Sequence, residues 1–423
     1  DPKNDLFFFK TLHSLALALT DIRTEQVMQP EHYKELSKTI GVNLNAEQQN
    51  RFSDLPEAQK SSDPILGLIN LALLRKVPLR EQYNISRIEE SWNVVKYVDE
   101  ALTKYKQTYK LYDFTDMLRV FANTGETCCP RFAVTFLDEA QDLSPLQWDI
   151  AHMLDRQSEK MYCAGDDDQA IYRWAGADVE HFINLEGGSE TLSQSYRVPE
   201  KPWEVAQNVA RRINHRFPKT YSPRKNKGFV TRVSMLQELD LSEGSWLILA
   251  QAAYLLQNVS YDLKAMGLLF SFRGHRSVSE RMSEAINGWE QLRKDKDVSG
   301  KAVKSIYSYM SSKDRIKRGF KKLGGLEEDE MFSFDVLVKD YGLLATKDMI
   351  WHEAMDKMPE TDRAYIIAML RRGEKFNAPP RITVSTIHGS KGGEADNVVL
   401  FTDLSPAADE SMRLDPADMH RTF

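Results

Sequence analysis

Between Ala133 and Asp178 the chain twice runs from an apolar, β-prone stretch straight into acids, and few folds can use that arrangement. The first run, Ala133 to Leu137, delivers Asp138 and Glu139 to its C-terminal end. The second, Met161 to Ala164, ends in Gly165-Asp166-Asp167-Asp168-Gln169. Between them Ser144 is placed to cap a helix opened by Pro145, whose fixed φ suits a first helical turn. Strand, helix and strand in that order predict a parallel α/β sheet, which gathers ligands at the C-terminal tips of its strands. Two neighbouring tips therefore bring carboxylates and an amide into one crevice.

The chemistry of such a crevice follows from its donors. A hard Mg²⁺ ion takes oxygen ligands and keeps several waters, so one carboxylate, Asp138, suffices to hold it. Glu139 is then placed to orient and deprotonate an attacking water, the base role in phosphoryl transfer. Gln169, one strand over, reaches the same water and the terminal phosphate. Its loop continues into Tyr172-Arg173-Trp174, whose rings suit stacking on unpaired bases. Tyr172 and Trp174 also read as ordinary core aromatics.

The cluster Asp138-Glu139-Ala140-Gln141-Asp142, followed by Gly165 to Asp178 (GDDDQAIYRWAGAD), resembles motifs II and III of the UvrD/Rep/PcrA-type superfamily 1A DNA helicases. That resemblance implies an ATP-dependent motor with Asp138 at the metal and Glu139 and Gln169 in catalysis. Several other stretches resemble the same family. Leu6 to Ser14 (LFFFKTLHS) reads as a strand and a Thr-x-His-Ser turn, with Thr11, His13 and Ser14 as donors to a nucleic-acid backbone; it is similar to motif Ib. Leu111 to Leu118 resembles a signature before motif II, though Asp113 reads equally well as a helix N-cap. Leu192 to Arg197 (LSQSYR) is similar to motif IV, which implies Tyr196 against adenine and Arg197 at the γ-phosphate. A guanidinium there neutralises charge spreading over the phosphoryl oxygens. Arg381 to Leu400 resembles motif V, which implies Thr386 and His388 on DNA, with Gly392 and Glu394 at the nucleotide.

The sequence also departs from the pattern. Gln251, Ala252 and Ala253 stand where an arginine and an asparagine usually touch DNA, and Ala175 replaces an arginine of motif III. No Gly-x-x-x-x-Gly-Lys-Ser/Thr loop occurs in the 423 residues. Met419 to Phe423 resembles the lead into motif VI. The resemblance therefore implies a piece of a longer protein, inactive as an ATPase on its own.

Charge bears on the partner. The net charge of −6 excludes a generic nucleic-acid coat, but basic clusters stand at Arg211, Arg212, His215, Arg216, Lys219, Arg224, Lys225 and Lys227 and again from Lys313 to Lys322. Either could meet phosphates or be a solvated face. Three cysteines, with Cys128 and Cys129 adjacent and Cys163 in an expected buried strand, define neither a zinc site nor a disulfide framework. No apolar run is long enough to span a bilayer.

The expected architecture is α/β: two RecA-like parallel-sheet motor domains, each with a helical insertion. Domain 1A is expected at 1–20 and 111–224, its insertion 1B at 21–110, domain 2A at 225–276 and 378–423, and a small 2B-like insertion at 277–377. The resemblance implies ATP and Mg²⁺ as cofactors, with single-stranded DNA and single-strand/duplex junctions as partners. It implies 3′ to 5′ movement in repair, recombination or replication, in a bacterial cytoplasm or nucleoid or, for a phage protein, its host. Two alternatives are a subunit of a helicase-nuclease complex and a non-catalytic single-strand-binding module.

Overall fold

The computed structural model describes residues 7–45, 63–323, 326–414 and 416–423. It is a mixed α/β protein with parallel sheets, divided into two compact units, residues 1–230 with 407–423 and residues 231–406.

The first unit opens with helix α1 (Leu12–Leu19), capped by the Thr11 hydroxyl. Leu6 of the expected first strand lies outside the described residues, and Phe7 to Phe9 form no strand. A strand exists only by pairing, and these three residues pair with none; instead the Phe8 ring packs edge-on against Phe132, with centroids 5.0 Å apart. Helices α2 (Pro30–Ile40), α3 (Pro64–Arg75), α4 (Leu79–Ile85) and α5 (Trp92–Tyr109) follow, sharing a core that includes Leu36, Ile69, Val95, Val98 and Leu102. Asp113 caps α6 (Phe114–Cys128) by accepting from the Asp116 amide. Lys106 reaches from α5 between Asp113 and Asp116, at 2.7 and 2.6 Å, and fastens the two helices together.

Strand β1 (Phe132–Leu137) leads into α7 (Pro145–Arg156), whose N-cap is the Ser144 hydroxyl, and then into β2 (Ser158–Cys163). The two strands pair in parallel, from Phe132 opposite Ser158 to Leu137 opposite Cys163. Strand periodicity turns Leu137 towards Trp148 of α7 and Val134, Phe136 and Tyr162 the other way. Phe136 is 78% exposed and stacks on Tyr162 with centroids 5.4 Å apart. Cys163 is exposed, which corrects the expectation of a buried strand: among the described residues β2 pairs with β1 alone, so it is an edge of a two-stranded sheet and Cys163 stands at its open end. Short helix α8 (Val179–Ile183) and α9 (Glu200–Ala210) complete this part of the unit.

The second unit is built on a five-stranded sheet. Its strands are β3 (Trp246–Ala250), β4 (Phe270–Phe272), β5 (His275–Arg276), β8 (Ile382–Thr386) and β9 (Asn397–Leu400), in the order β5-β4-β8-β3-β9. All neighbours are parallel except β4 and β5. Between β3 and β8 lie α10 (Gln257–Ala265), α11 (Glu280–Leu292), α12 (Gly300–Ser308), α13 (Phe334–Asp340), α14 (Trp351–Ala354) and α15 (Glu360–Arg371), with a small antiparallel pair, β6 (Val298–Ser299) and β7 (Met331–Phe332). One core runs from the sheet residues Ile248 and Val384 to Trp289 and Ile306 of the helices. Helices α16 (Pro406–Leu414) and α17 (Pro416–Thr422) end the chain, and residues 407–423 pack with the first unit.

Candidate functional site

At the tip of β1 the Asp138 carboxylate is exposed and accepts from the Glu139 amide at 2.9 Å. Glu139 itself is left-handed, with φ +52°, a conformation that costs a non-glycine residue about 1–2 kcal/mol. The neighbouring backbone holds it there: Ala140 N–H donates to Ala164 O at 3.0 Å, and Ala164 N–H to Leu137 O at 2.7 Å. Beneath them lies Gln141, only 1% exposed. Its Nε2 donates to Glu139 Oε2 at 2.7 Å, and its Oε1 accepts from Asp166 N–H at 3.1 Å.

The tip of β2 carries a one-turn 3₁₀ helix, Asp167–Gln169. Gln169 is exposed, and its Nε2 donates to Asp166 Oδ2 at 2.8 Å. Three successive acids would repel one another, and a basic segment removes the conflict. Lys219, 10% exposed, pairs with Asp166 at 2.5 Å, with Asp168 at 3.1 Å and with Asp167. Arg216 grips the Asp168 carboxylate through Nε, at 2.8 Å, and Nη2. Phe217 N–H donates to Asp167 Oδ2 at 2.9 Å. Burial pushes the Asp166 carboxyl up, but the Lys219 ammonium, with hydrogen bonds from Lys219, Gln169 and Asp168, holds it below its ordinary value. Arg421 of α17 comes from the far end of the chain, with Nε on Asp167 O at 3.0 Å and Nη2 on His215 O at 2.8 Å. The first basic cluster is therefore only partly a solvent face: Arg216 and Lys219 are bound internally, and His215 pairs with Glu180.

The aromatics divide. Tyr172 is 6% exposed and sits in the core, the other role its sequence position allowed, so its ring is not offered to a base. Trp174 is 46% exposed. Its turn is held from both sides, by Arg75 donating to Arg173 O at 2.9 Å and by Arg173 paired with Asp418 at 2.9 Å. Thr11 spends its hydroxyl oxygen on the α1 cap, and His13 packs edge-on against Phe114, centroids 5.9 Å apart. Tyr196 is 87% exposed and Arg197 is exposed, at a bend anchored where Ser195 Oγ accepts from Val198 N–H at 3.1 Å.

In the second unit Thr386 ends β8 and accepts from Gly389 N–H at 3.1 Å, which closes the turn holding His388. Gly392 (φ +80°) and exposed Glu394 lie in the loop between β8 and β9. The structure thus brings Asp138, Glu139 and Gln169 together at adjacent strand tips of the first unit. Thr386, His388, Gly392 and Glu394 form a separate group in the second. Sequence reasoning missed Gln141 and Arg421 altogether, and saw Arg216 and Lys219 as part of a basic cluster but not as the partners of Asp166 to Asp168. Only Gln141 stands near an acid it serves; the partners of the other three are distant in sequence.

Among the described residues no three His, Cys, Asp or Glu side chains gather to hold a metal. Asp138 fits an Mg²⁺ ion that takes its other ligands from water and phosphate oxygens. No helix among the described residues is long and apolar enough to cross a membrane.

Residues 7–188, which contain both strand tips, match the UvrD/REP helicase N-terminal domain. A putative ATP-dependent DNA helicase of Bacillus subtilis, YjcD, is 23% identical over 211 residues, 47% of this chain and 28% of that protein. The ATP-dependent DNA helicase PcrA of Leuconostoc citreum is 24% identical over 230 residues, 51% of this chain and 30% of its own length. PcrA of Bacillus subtilis is 27% identical over 185 residues, 40% and 25% of the two chains. The matched stretch thus spans under a third of each of these relatives.

Proposed function

We propose, on the premise that residues 7–188 are a UvrD/REP helicase N-terminal domain distantly homologous to PcrA/UvrD-type DNA helicases, that this chain is part of an ATP-dependent DNA translocase. Two RecA-like motor domains, each with a helical insertion, would move 3′ to 5′ on single-stranded DNA and open duplex ahead of them. The observation that carries the reading is the meeting of Asp138, Glu139 and Gln169 at two adjacent strand tips, with exposed Trp174 on the continuation of the Gln169 turn.

In this mechanism Asp138 would hold Mg²⁺, which when bound would supply charge neutralisation at the phosphates. Glu139 accepts the proton of the attacking water, and Gln169 orients that water. Exposed Tyr196 offers a face to adenine, and Arg197 supplies positive charge for the departing γ-phosphate. Trp174 stacks on a base, while Thr386 and His388 hold the strand and Gly392 and Glu394 meet the nucleotide. A change in the Gln169 turn on hydrolysis reaches Trp174 through few residues, which is how nucleotide state couples to grip.

The 423 residues contain no phosphate-cradling Gly-Lys-Ser/Thr loop, so turnover is expected of a protein carrying this chain together with such a loop. The test is phosphate release with and without single-stranded DNA, and unwinding of duplexes tailed at either end. DNA-stimulated hydrolysis with unwinding only from 3′ tails is the expected result. Hydrolysis indifferent to DNA would overturn the reading.

A further inference from the structure

The side chain that joins the two strand tips is neither of the acids nor the glutamine at the second tip. Gln141 spans from Glu139 Oε2, to which its Nε2 donates at 2.7 Å, to the Asp166 amide, from which its Oε1 accepts at 3.1 Å. Asp166 in turn receives the Gln169 amide at 2.8 Å. Hydrogen bonds link Glu139 to Gln141, Gln141 to the Asp166 backbone and the Asp166 carboxylate to Gln169 across the crevice, and of these four Gln141 is buried.

Gly165 keeps that linkage open. A Cβ there would stand 2.4 Å from Gln141 Oε1 and 2.7 Å from the Phe182 ring, so any side chain displaces the amide. The left-handed Glu139 backbone, φ +52°, accompanies a carboxylate that reaches back to Gln141 through Oε2. A buried primary amide with one donor and one acceptor both engaged has a fixed orientation, and it imposes that orientation on what it touches.

We propose that Gln141 is a positioning residue that sets the separation of Glu139 and Gln169, so that both address one water. It touches neither nucleotide nor water itself. The inference rests on the ATPase reading above, and its test separates the two.

The kinetic constants for ATP, at saturating single-stranded DNA, are measured for the protein carrying this chain and for Gln141→Met and Gly165→Ala. Methionine keeps the volume and removes both hydrogen bonds; the alanine leaves Gln141 in place chemically and pushes its amide aside. Both variants should lose roughly 10- to 100-fold in kcat, since small misplacements of reacting groups cost that much. Their KM for ATP should stay within about threefold of wild type, because neither change removes a binding contact. A purely structural role predicts instead parallel loss of kcat, ATP affinity and melting temperature, reversed by packing alone in Gln141→Met. Wild-type kcat in Gln141→Met, or that parallel loss, overturns the proposal while leaving the ATPase reading intact. A wild-type protein that hydrolyses no ATP overturns the ATPase reading itself, and the proposal with it.

Discussion

At the scale of single residues the site separates side chains that face solvent from side chains that hold them. Glu139 is exposed at a strand tip, and the proposed base role needs its carboxylate but not its size. Glu139→Gln should therefore leave ATP binding intact and abolish DNA-stimulated hydrolysis in the protein that carries the chain; unchanged turnover would remove Glu139 from that role. Trp174 is half exposed beside a braced turn, so Trp174→Ala should weaken single-strand binding by about 1–3 kcal/mol, the worth of one lost stack. A titration of labelled oligonucleotide decides this, and an unaltered affinity would return the ring to a packing role. The placement of the acids and Gln169 beyond two paired strands was legible because its signal is local: a β-prone run, then polar groups at its tip. Tyr172 and Trp174 could not be told apart by residue type, and only the fold shows that the first turns inward. Lys219 and Arg421 were hidden for a different reason, since the groups they hold lie 52 and 254 positions away, and of the two groups Gln141 holds only Glu139 is near while Asp166 lies 25 positions on.

At the scale of elements, the Asp166 to Gln169 turn is a local contradiction resolved from elsewhere. Its three carboxylates accept from Lys219 and Arg216, and the segment that carries these cations, just after α9, forms neither helix nor strand to mark it. Removing the ammonium leaves adjacent, largely buried acids without their counter-charge, so Lys219→Met should cost about 3–5 kcal/mol, far beyond an exposed ion pair. Denaturant unfolding of the first unit measures it, and a loss below about 1 kcal/mol would mean that water or Arg216 suffices. The same cluster sets a pH dependence. Asp166 is held below its unfolded value, so its contribution is present above that value and disappears as pH falls through the folded one. Burial lowers the Lys219 pKa, but Asp166, Asp167 and Asp168 together raise it above the unfolded value. Its contribution is therefore complete below that value and fades as pH rises through the folded one. Stability of the first unit should fall at both extremes in wild type, and Lys219→Met should flatten the alkaline limb. By contrast, β1, α7 and β2 were legible because the Ser144 cap and Pro145 mark the helix that separates the strands. The expected strand at Phe7 to Phe9 was not, because apolar character predicts burial and says nothing of a pairing partner.

At the scale of the whole molecule, the path of the chain matters more than any one motif. The first unit is discontinuous: the chain leaves it near residue 230, builds the second unit, and comes back to it as residues 407–423. The contacts that described residues of the returning segment make with the rest of the first unit are not equal. Arg87 with Glu410 is an open surface pair, 72% and 48% exposed, where water and salt screen most of the attraction. Arg173 with Asp418 is about one-third exposed on each side and lies between the extremes. Arg421 is 1% exposed and donates to two backbone carbonyls, of which Asp167 O is buried, so its loss leaves that acceptor unpaired at about 1–3 kcal/mol. Deleting residues 407–423, or making Arg421→Met alone, should therefore lower the unfolding midpoint of the first unit and leave the second unchanged. The two are separable by fluorescence, since Trp289 and Trp351 report the core of the second unit and Trp148 that of the first. A shift in both transitions would mean that the units unfold as one cooperative body. No shift in either would mean that the Arg421 slot is satisfied by water, and that α17 is only a passenger on the first unit.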